Sequence, residues 1–126
     1  MTERKDLTQE IIFIEAGDLL AAVQDLKAAG YRLGQACATT VGGELEVLYT
    51  FEKDNILTNR KIKLDAKHPE AQSISAIYPY VFIYENEMHD LFGITFKNLG
   101  LDYGGKFFKI SKETPWNPLF EKGDEN

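Results

Sequence analysis

Glu85, Glu87, His89 and Asp90 crowd into six consecutive positions, a density of proton and metal ligands found nowhere else in this sequence. At 100° per residue, Pro79–Leu91 reads as a helix, with Pro79 suited to its first position and Gly93 to its stop. Val81, Tyr84, Met88, Leu91 and Phe92 then fall in one apolar stripe. Glu85 lies at one edge of the stripe, one turn before His89, and Glu87 lies at the other edge. Asp90 follows Glu87 at i+3, roughly opposite the core. Two chemistries fit this wheel. Glu85 and His89 at i, i+4 have acceptable metal-ligand geometry, yet the helical di-iron pattern requires Glu-x-x-His on two helices. Asn86 stands three before His89, and the other histidine, His68, sits beside a proline. The alternative is a solvated acidic face. There, Glu87 and Asp90 as like charges cost a few tenths of a kcal/mol, and Asp90 near the helix C-terminus costs about 0.3–1 kcal/mol. Burial would magnify both penalties. The helix carries no lysine or arginine, so compensating groups have to come from Lys97, the loops or another chain.

Other reactive residues are sparse. Cys37, the sole cysteine, lies on a β-prone stretch and reads as a small buried hydrophobe. One cysteine excludes an intrachain disulfide and a multi-cysteine cluster supplied by this sequence alone. Neither a nucleophile elbow nor a phosphate loop is spelled out, and the glycine pairs 42–43 and 104–105 lack dinucleotide spacing. A net charge of −6 and pI near 4.9 argue against nucleic acid and against adsorption to an anionic membrane. No apolar run reaches membrane-spanning length, and Met1–Asp6 is polar, so a reducing cytoplasmic location is expected.

The elements that must hold the 78–96 segment are legible from periodicity. Gln9–Ile14 is a short strand, with Ile11–Ile14 expected to be buried on both faces. Asp18 is the expected N-cap of a helix whose stripe is Leu19, Val23 and Leu26, and Gly30 ends it. Tyr31–Val41, Glu44–Glu52 and Ile56–Asp65 are three strands, joined by turns at Gly42-Gly43 and Lys53-Asp54-Asn55. On the middle strand Leu45, Val47, Tyr49 and Phe51 alternate with Glu44, Glu46, Thr50 and Glu52. Lys61 and Lys63 are placed to pair with Glu44 and Glu46 on the solvated face. Glu70–Ile77 is expected to form a helical turn. The fold class is α+β: a small, mainly antiparallel sheet packed against helices, with residues 1–102 as one domain of 126 residues in all.

The run Ser73-Ile74-Ser75-Ala76-Ile77-Tyr78-Pro79, continued by Tyr84-Glu85-Asn86-Glu87-Met88-His89-Asp90-Leu91-Phe92-Gly93-Ile94-Thr95-Phe96, resembles the C-subunit family of respiratory complex I. That family includes the corresponding small subunit of membrane-bound, energy-converting [NiFe] hydrogenases. Its Glu-Arg-Glu-x-x-Asp motif, followed by an apolar pair, Gly, Ile or Val, a variable residue and Phe, is met by Glu85, Glu87, Asp90, Gly93, Ile94 and Phe96. The resemblance covers about residues 9–100. Asn86 replaces the family arginine, and Asn98–Gly105 replaces the basic stretch of the respiratory form, which favours the hydrogenase form.

What the resemblance implies is a non-catalytic scaffold chain on the cytoplasmic side of the membrane, in a ferredoxin-linked [NiFe] hydrogenase that couples hydrogen turnover to ion translocation. The equivalent component of a respiratory NADH or other donor:quinone oxidoreductase is the alternative, followed by a metal enzyme using Glu85, His89 and Asp90. No cofactor is expected in this chain; the [NiFe] centre and iron–sulfur clusters would belong to the hydrogenase large and small subunits. Glu85, Glu87, Asp90, Phe92, Gly93 and Phe96 would fix the motif helix against its loops or a partner. Residues 103–126 have no helical or strand period but carry Phe107, Phe108, Trp116 and Phe120. They are expected to form an extended arm anchored on a neighbouring polypeptide by these rings.

Overall fold

A computed structural model describes residues 10–97 of the chain. In order these form β1 (Glu10–Phe13), α1 (Leu19–Ala28), β2 (Arg32–Val41), β3 (Glu44–Lys53), β4 (Ile56–Asp65), β5 (Glu70–Gln72), α2 (Phe82–Phe92) and β6 (Thr95–Lys97). Strands β2, β3 and β4 make an antiparallel meander, and β1 joins its edge parallel to β4, giving the order β1-β4-β3-β2. Strands β5 and β6 pair in parallel as a separate two-stranded sheet. The architecture is the α+β class read from the sequence. The arm residues Phe107, Phe108, Trp116 and Phe120 lie outside the described residues.

The β3 alternation builds the core. Leu45, Val47, Tyr49 and Phe51 are all fully buried, and they cluster with Leu19, Val23 and Leu26 of α1 and with Val81, Met88 and Phe92 around α2. Burying each such side chain stabilises the fold by roughly 1.5–3 kcal/mol before chain entropy is counted. Both hairpins use the turns foreseen. Gly42 has φ +62°, and Asp54 and Asn55 have φ +52° and +69°, the left-handed pair that a two-residue hairpin takes. At the end of α1, Gly30 lies at φ +96°, and Lys53 Nζ donates to Ala29 O at 2.6 Å, binding a helix-end carbonyl. On the sheet's other face Lys61 pairs with Glu46 at 3.1 Å.

Four local expectations are corrected. Ile11, Ile12 and Phe13 are exposed, because β1 is an edge strand and Ile11 and Phe13 share the outer face with Asn59 and Lys61. The Phe13 ring instead meets the Lys61 and Lys63 ammonium groups, 5.3 and 5.2 Å from its centroid. Asp18 occupies the N-cap position of α1 without a side-chain cap; its ψ of 3° departs from the extended conformation that aims a capping oxygen. A 3-10 turn, Ala16–Asp18, leads into the helix in its place. Of the helical turn expected over Glu70–Ile77, only the end forms, where the Ile77 and Tyr78 N–H groups both donate to Ile74 O; Glu70–Gln72 is extended instead, since β6 offers it a pairing partner that local sequence cannot reveal.

Cys37 is the fourth correction, being exposed. Leu33 faces Phe51 and Ala36 faces Tyr49, both towards the core, while the register slips between Leu33 and Gln35. The extra residue, Gly34, reverses the inside–outside parity of everything after it, and Cys37 turns outward opposite Leu48. On that outer face Thr50 and Asn59 are nonetheless buried. Thr50 Oγ1 donates to Asn59 Oδ1 at 2.7 Å, and Asn59 Nδ2 donates to Glu10 O at 3.0 Å, so the pair is satisfied internally.

Candidate functional site

Two devices hold the motif segment. At its start Pro79 opens a 3-10 turn, Pro79–Val81, that runs directly into α2. Tyr78 Oη donates to Tyr31 O at 2.6 Å and Tyr84 Oη donates to the bulge carbonyl of Gly34 at 3.3 Å, tying this end to β2. At its close Gly93 takes φ +78°, and its N–H donates to His89 O at 2.9 Å. The β5–β6 pairing then clamps the two flanks together, with Ser73 N–H donating to Lys97 O at 2.9 Å and Thr95 N–H to Pro69 O at 3.0 Å. Ile94 and Phe96 enter the core beyond the turn.

Within this frame the acidic residues separate. Glu85 is fully buried, Glu87 is exposed and Asp90 is partly exposed. Glu85 therefore belongs to the inward stripe with Met88 and Phe92 rather than to a solvated edge. Its two oxygens are engaged separately: Ser73 Oγ lies 2.7 Å from Oε1, and the Ile74 N–H donates to Oε2 at 3.0 Å. Ser73 Oγ also contacts Ser75 Oγ at 2.9 Å and accepts the Ser75 N–H at 3.0 Å. Burial pushes the Glu85 carboxyl up to about 7, against the opposing pull of the Ser73 and Ile74 hydrogen bonds. No cation is among the groups acting on it.

Tyr49 of β3 completes the surroundings. Burial, and secondarily the Glu85 charge, push its phenol well above the usual range. Its hydroxyl is buried without a hydrogen-bond partner among the described residues, as is Asn86 Oδ1. His89 Nδ1 lies 2.9 Å from Ile94 O, and because a carbonyl only accepts, that nitrogen carries the proton. Among the described residues no three His, Cys, Asp or Glu side chains gather as a metal site. An open groove of about 540 Å³, lined by Phe13, Ile14, Glu15, Ala16, Asp18 and Lys63, shares no residue with the motif helix.

Of the predicted motif residues Glu85, Phe92, Gly93 and Phe96 are thus buried, Asp90 is partly exposed and Glu87 is exposed. Sequence reasoning missed Ser73, Ile74, Ser75 and Tyr49 as partners. The available signal was the position of Glu85 on the buried stripe of a helix without a cation: a carboxylate placed there needs donors from another segment.

A family model described as respiratory-chain NADH dehydrogenase, 30 Kd subunit, matches residues 12–100, more than half of the chain. The chain belongs to that family. The family's matched span includes the whole motif helix and its serine clamp. Over a shorter stretch, three NADH-quinone oxidoreductase C/D subunits of Rhodopseudomonas palustris, from strains HaA2, TIE-1 and ATCC BAA-98 / CGA009, are each 46% identical over 37 residues. That stretch is 29% of this chain and only 6% of those relatives' length. Two solved structures share the fold. One is from the membrane-bound sulfane sulfur reductase, an archaeal respiratory membrane complex, with TM-score 0.71 and 18% identity over 98% of this chain and 75% of that one. The other is a trypsin-resistant fragment of Nqo5, with TM-score 0.65 and 16% identity over 76% of this chain and 84% of the fragment. In this member of the 30 Kd family, no helix of the described residues is long and apolar enough to cross a membrane.

Proposed function

We propose that this chain is a non-catalytic scaffold subunit of a membrane-bound, complex I-like oxidoreductase, and in particular of an energy-converting, ferredoxin-linked [NiFe] hydrogenase. The observation that carries the reading is the family match over residues 12–100. The chemistry of the motif agrees with it. The carboxylate at the centre, Glu85, is occupied by Ser73 and Ile74 inside the fold, which suits a structural part better than a reacting one. The hydrogenase form is supported by Asn98–Gly105, which stands where the respiratory form carries a basic stretch. In this reading Glu87 and Asp90 on the outer side of α2, with the rings Phe107, Phe108, Trp116 and Phe120, contact the hydrogenase large and small subunits. Those partners hold the [NiFe] centre and iron–sulfur clusters, on the cytoplasmic side of the membrane.

A respiratory donor:quinone oxidoreductase is the second reading, favoured by the 46% identity over 37 residues to NADH-quinone oxidoreductase subunits. Purifying the tagged chain from its own cells in mild detergent, then identifying co-purifying polypeptides and metals, separates the two. A nickel-containing large subunit recovered with membrane proteins is the expected result. A large subunit without nickel, together with quinone-reductase subunits, transfers the chain to the respiratory form. Recovery of the chain alone overturns both.

A further inference from the structure

We propose that the outer face of α2, extended by Tyr80, is a docking surface for a partner-polypeptide segment that sets an arginine or lysine beside an apolar side chain. This surface presupposes the scaffold role and specifies what the partner brings to it.

Ile83, Glu87 and Asp90 recur at i, i+4 and i+7, which gathers them on one line along the helix. Glu85, Met88 and Phe92 occupy the opposite side and are buried, so that line points away from the core. Tyr80, in the 3-10 turn three residues before Ile83, extends it. Tyr80 and Ile83 are 51% and 59% exposed, the large apolar side chains that this helix and its leading turn leave to solvent. Apolar residues scattered singly on a surface need no partner. These two run directly into a pair of carboxylates for which the described residues provide no counter-charge.

Charge decides what can cover this line. α2 has neither lysine nor arginine, and Asn86 beside the line supplies only an amide. Lys97, the nearest lysine in sequence, pairs with Glu70 at 3.4 Å. Arg32, in electrostatic reach of Tyr80, is held by Glu52, and Lys61 is held by Glu46. Among the described residues no ion pair reaches Glu87 or Asp90. Two like charges at i, i+3 near a helix C-terminus repel each other and oppose the helix dipole. A cation laid between them relieves both penalties, and an acidic partner would add to them. A purely apolar partner would bury the carboxylates unpaired. The complementary segment therefore carries an apolar side chain towards Tyr80 and Ile83 and a cation about one helical turn farther on, over Glu87 and Asp90.

The test uses the full chain in its own cells. A benzophenone-bearing phenylalanine in place of Ile83, irradiated before purification in mild detergent, reports what lies on the stripe. The expected product joins this chain to another polypeptide of the complex, at a peptide with Arg or Lys within about four residues of the cross-link. A product with residues 98–126 of this chain, with a second copy or with an acidic peptide overturns the proposal, as does a recovered complex without any product. Glu87→Lys combined with Asp90→Lys is expected to cut recovery of the partner polypeptides about tenfold. Glu44→Lys, exposed on β3, is expected to leave recovery unchanged; an equal loss there would mean general charge dependence and overturn the surface. Urea midpoints of the purified variants separate lost docking from lost folding. Should the double variant fail to fold, Ile83→Ser carries the same expected direction. Full recovery with either variant overturns the surface and leaves the scaffold role standing, whereas wild-type chain recovered alone overturns the scaffold role and this surface with it.

Discussion

Glu85 and Tyr49 are two buried polar side chains whose needs the fold meets unequally. Glu85 has hydrogen-bond donors and no counter-charge, whereas the Tyr49 hydroxyl has no hydrogen-bond partner among the described residues. Because burial raises the Glu85 carboxyl from 4.5 to about 7, the folded chain retains a proton that the unfolded chain has already released between those values. The stability this group contributes is complete below about pH 4.5 and is lost as pH rises through 7. Glu85→Gln keeps the shape and both hydrogen-bonding functions while removing the charge. It is expected to be close to wild type at pH 4 and to exceed it by about 3 kcal/mol at pH 8 in urea unfolding; an equal difference at both pH values would contradict this origin. Tyr49→Phe deletes an unsatisfied buried hydroxyl while leaving the ring in the core. It should leave stability unchanged or raise it by up to about 1 kcal/mol, and a loss of more than that amount in thermal unfolding would mean the hydroxyl is satisfied in solution.

At the scale of elements, the motif reads as a helix stop followed by a return to the sheet. Gly93 supplies the left-handed residue that turns α2 into β6, and β6 then closes on β5. Gly93→Ala forces an L side chain into φ +78°, costing roughly 1–2 kcal/mol. The cost should appear as a lower urea midpoint, and a variant as stable as wild type would show that the turn relaxes into another conformation. The β2 bulge works at the same scale. By adding Gly34 it reverses the faces of the strand after it and leaves the Gly34 carbonyl aimed at Tyr84, so one inserted residue both exposes Cys37 and docks α2 on the sheet.

For the whole molecule, the proposed scaffold role turns on the division of the acidic motif residues. Glu85 secures α2 from within, while Glu87 and Asp90 stay accessible to a partner. Asp90→Ala is therefore expected to leave the unfolding midpoint of the isolated chain within about 0.5 kcal/mol of wild type and to reduce co-purification of the complex. Full recovery of the complex would remove Asp90 from the proposed interface. On the edge strand β1, Ile11 and Phe13 are also exposed, and the Phe13 ring lies against the Lys61 and Lys63 ammonium groups.

Periodicity alone determined α1, the three-strand meander, the core face of β3, the hairpin turns and the Gly93 stop, because each depends on residues near one another in sequence. The motif string was enough to place residues 9–100 in a family resemblance that the match over 12–100 bears out. Only the tertiary structure decided the rest. Whether Glu70–Gln72 is helix or strand depended on β6, more than twenty residues away. The outward turn of Cys37 depended on a bulge that shifts parity without leaving a mark in the alternation. Most of all, the character of Glu85 depended on the serine segment folding over it. A helical wheel specifies the direction of a side chain, but the neighbours that desolvate it and supply its hydrogen bonds arrive from elsewhere in the chain, and they set its charge.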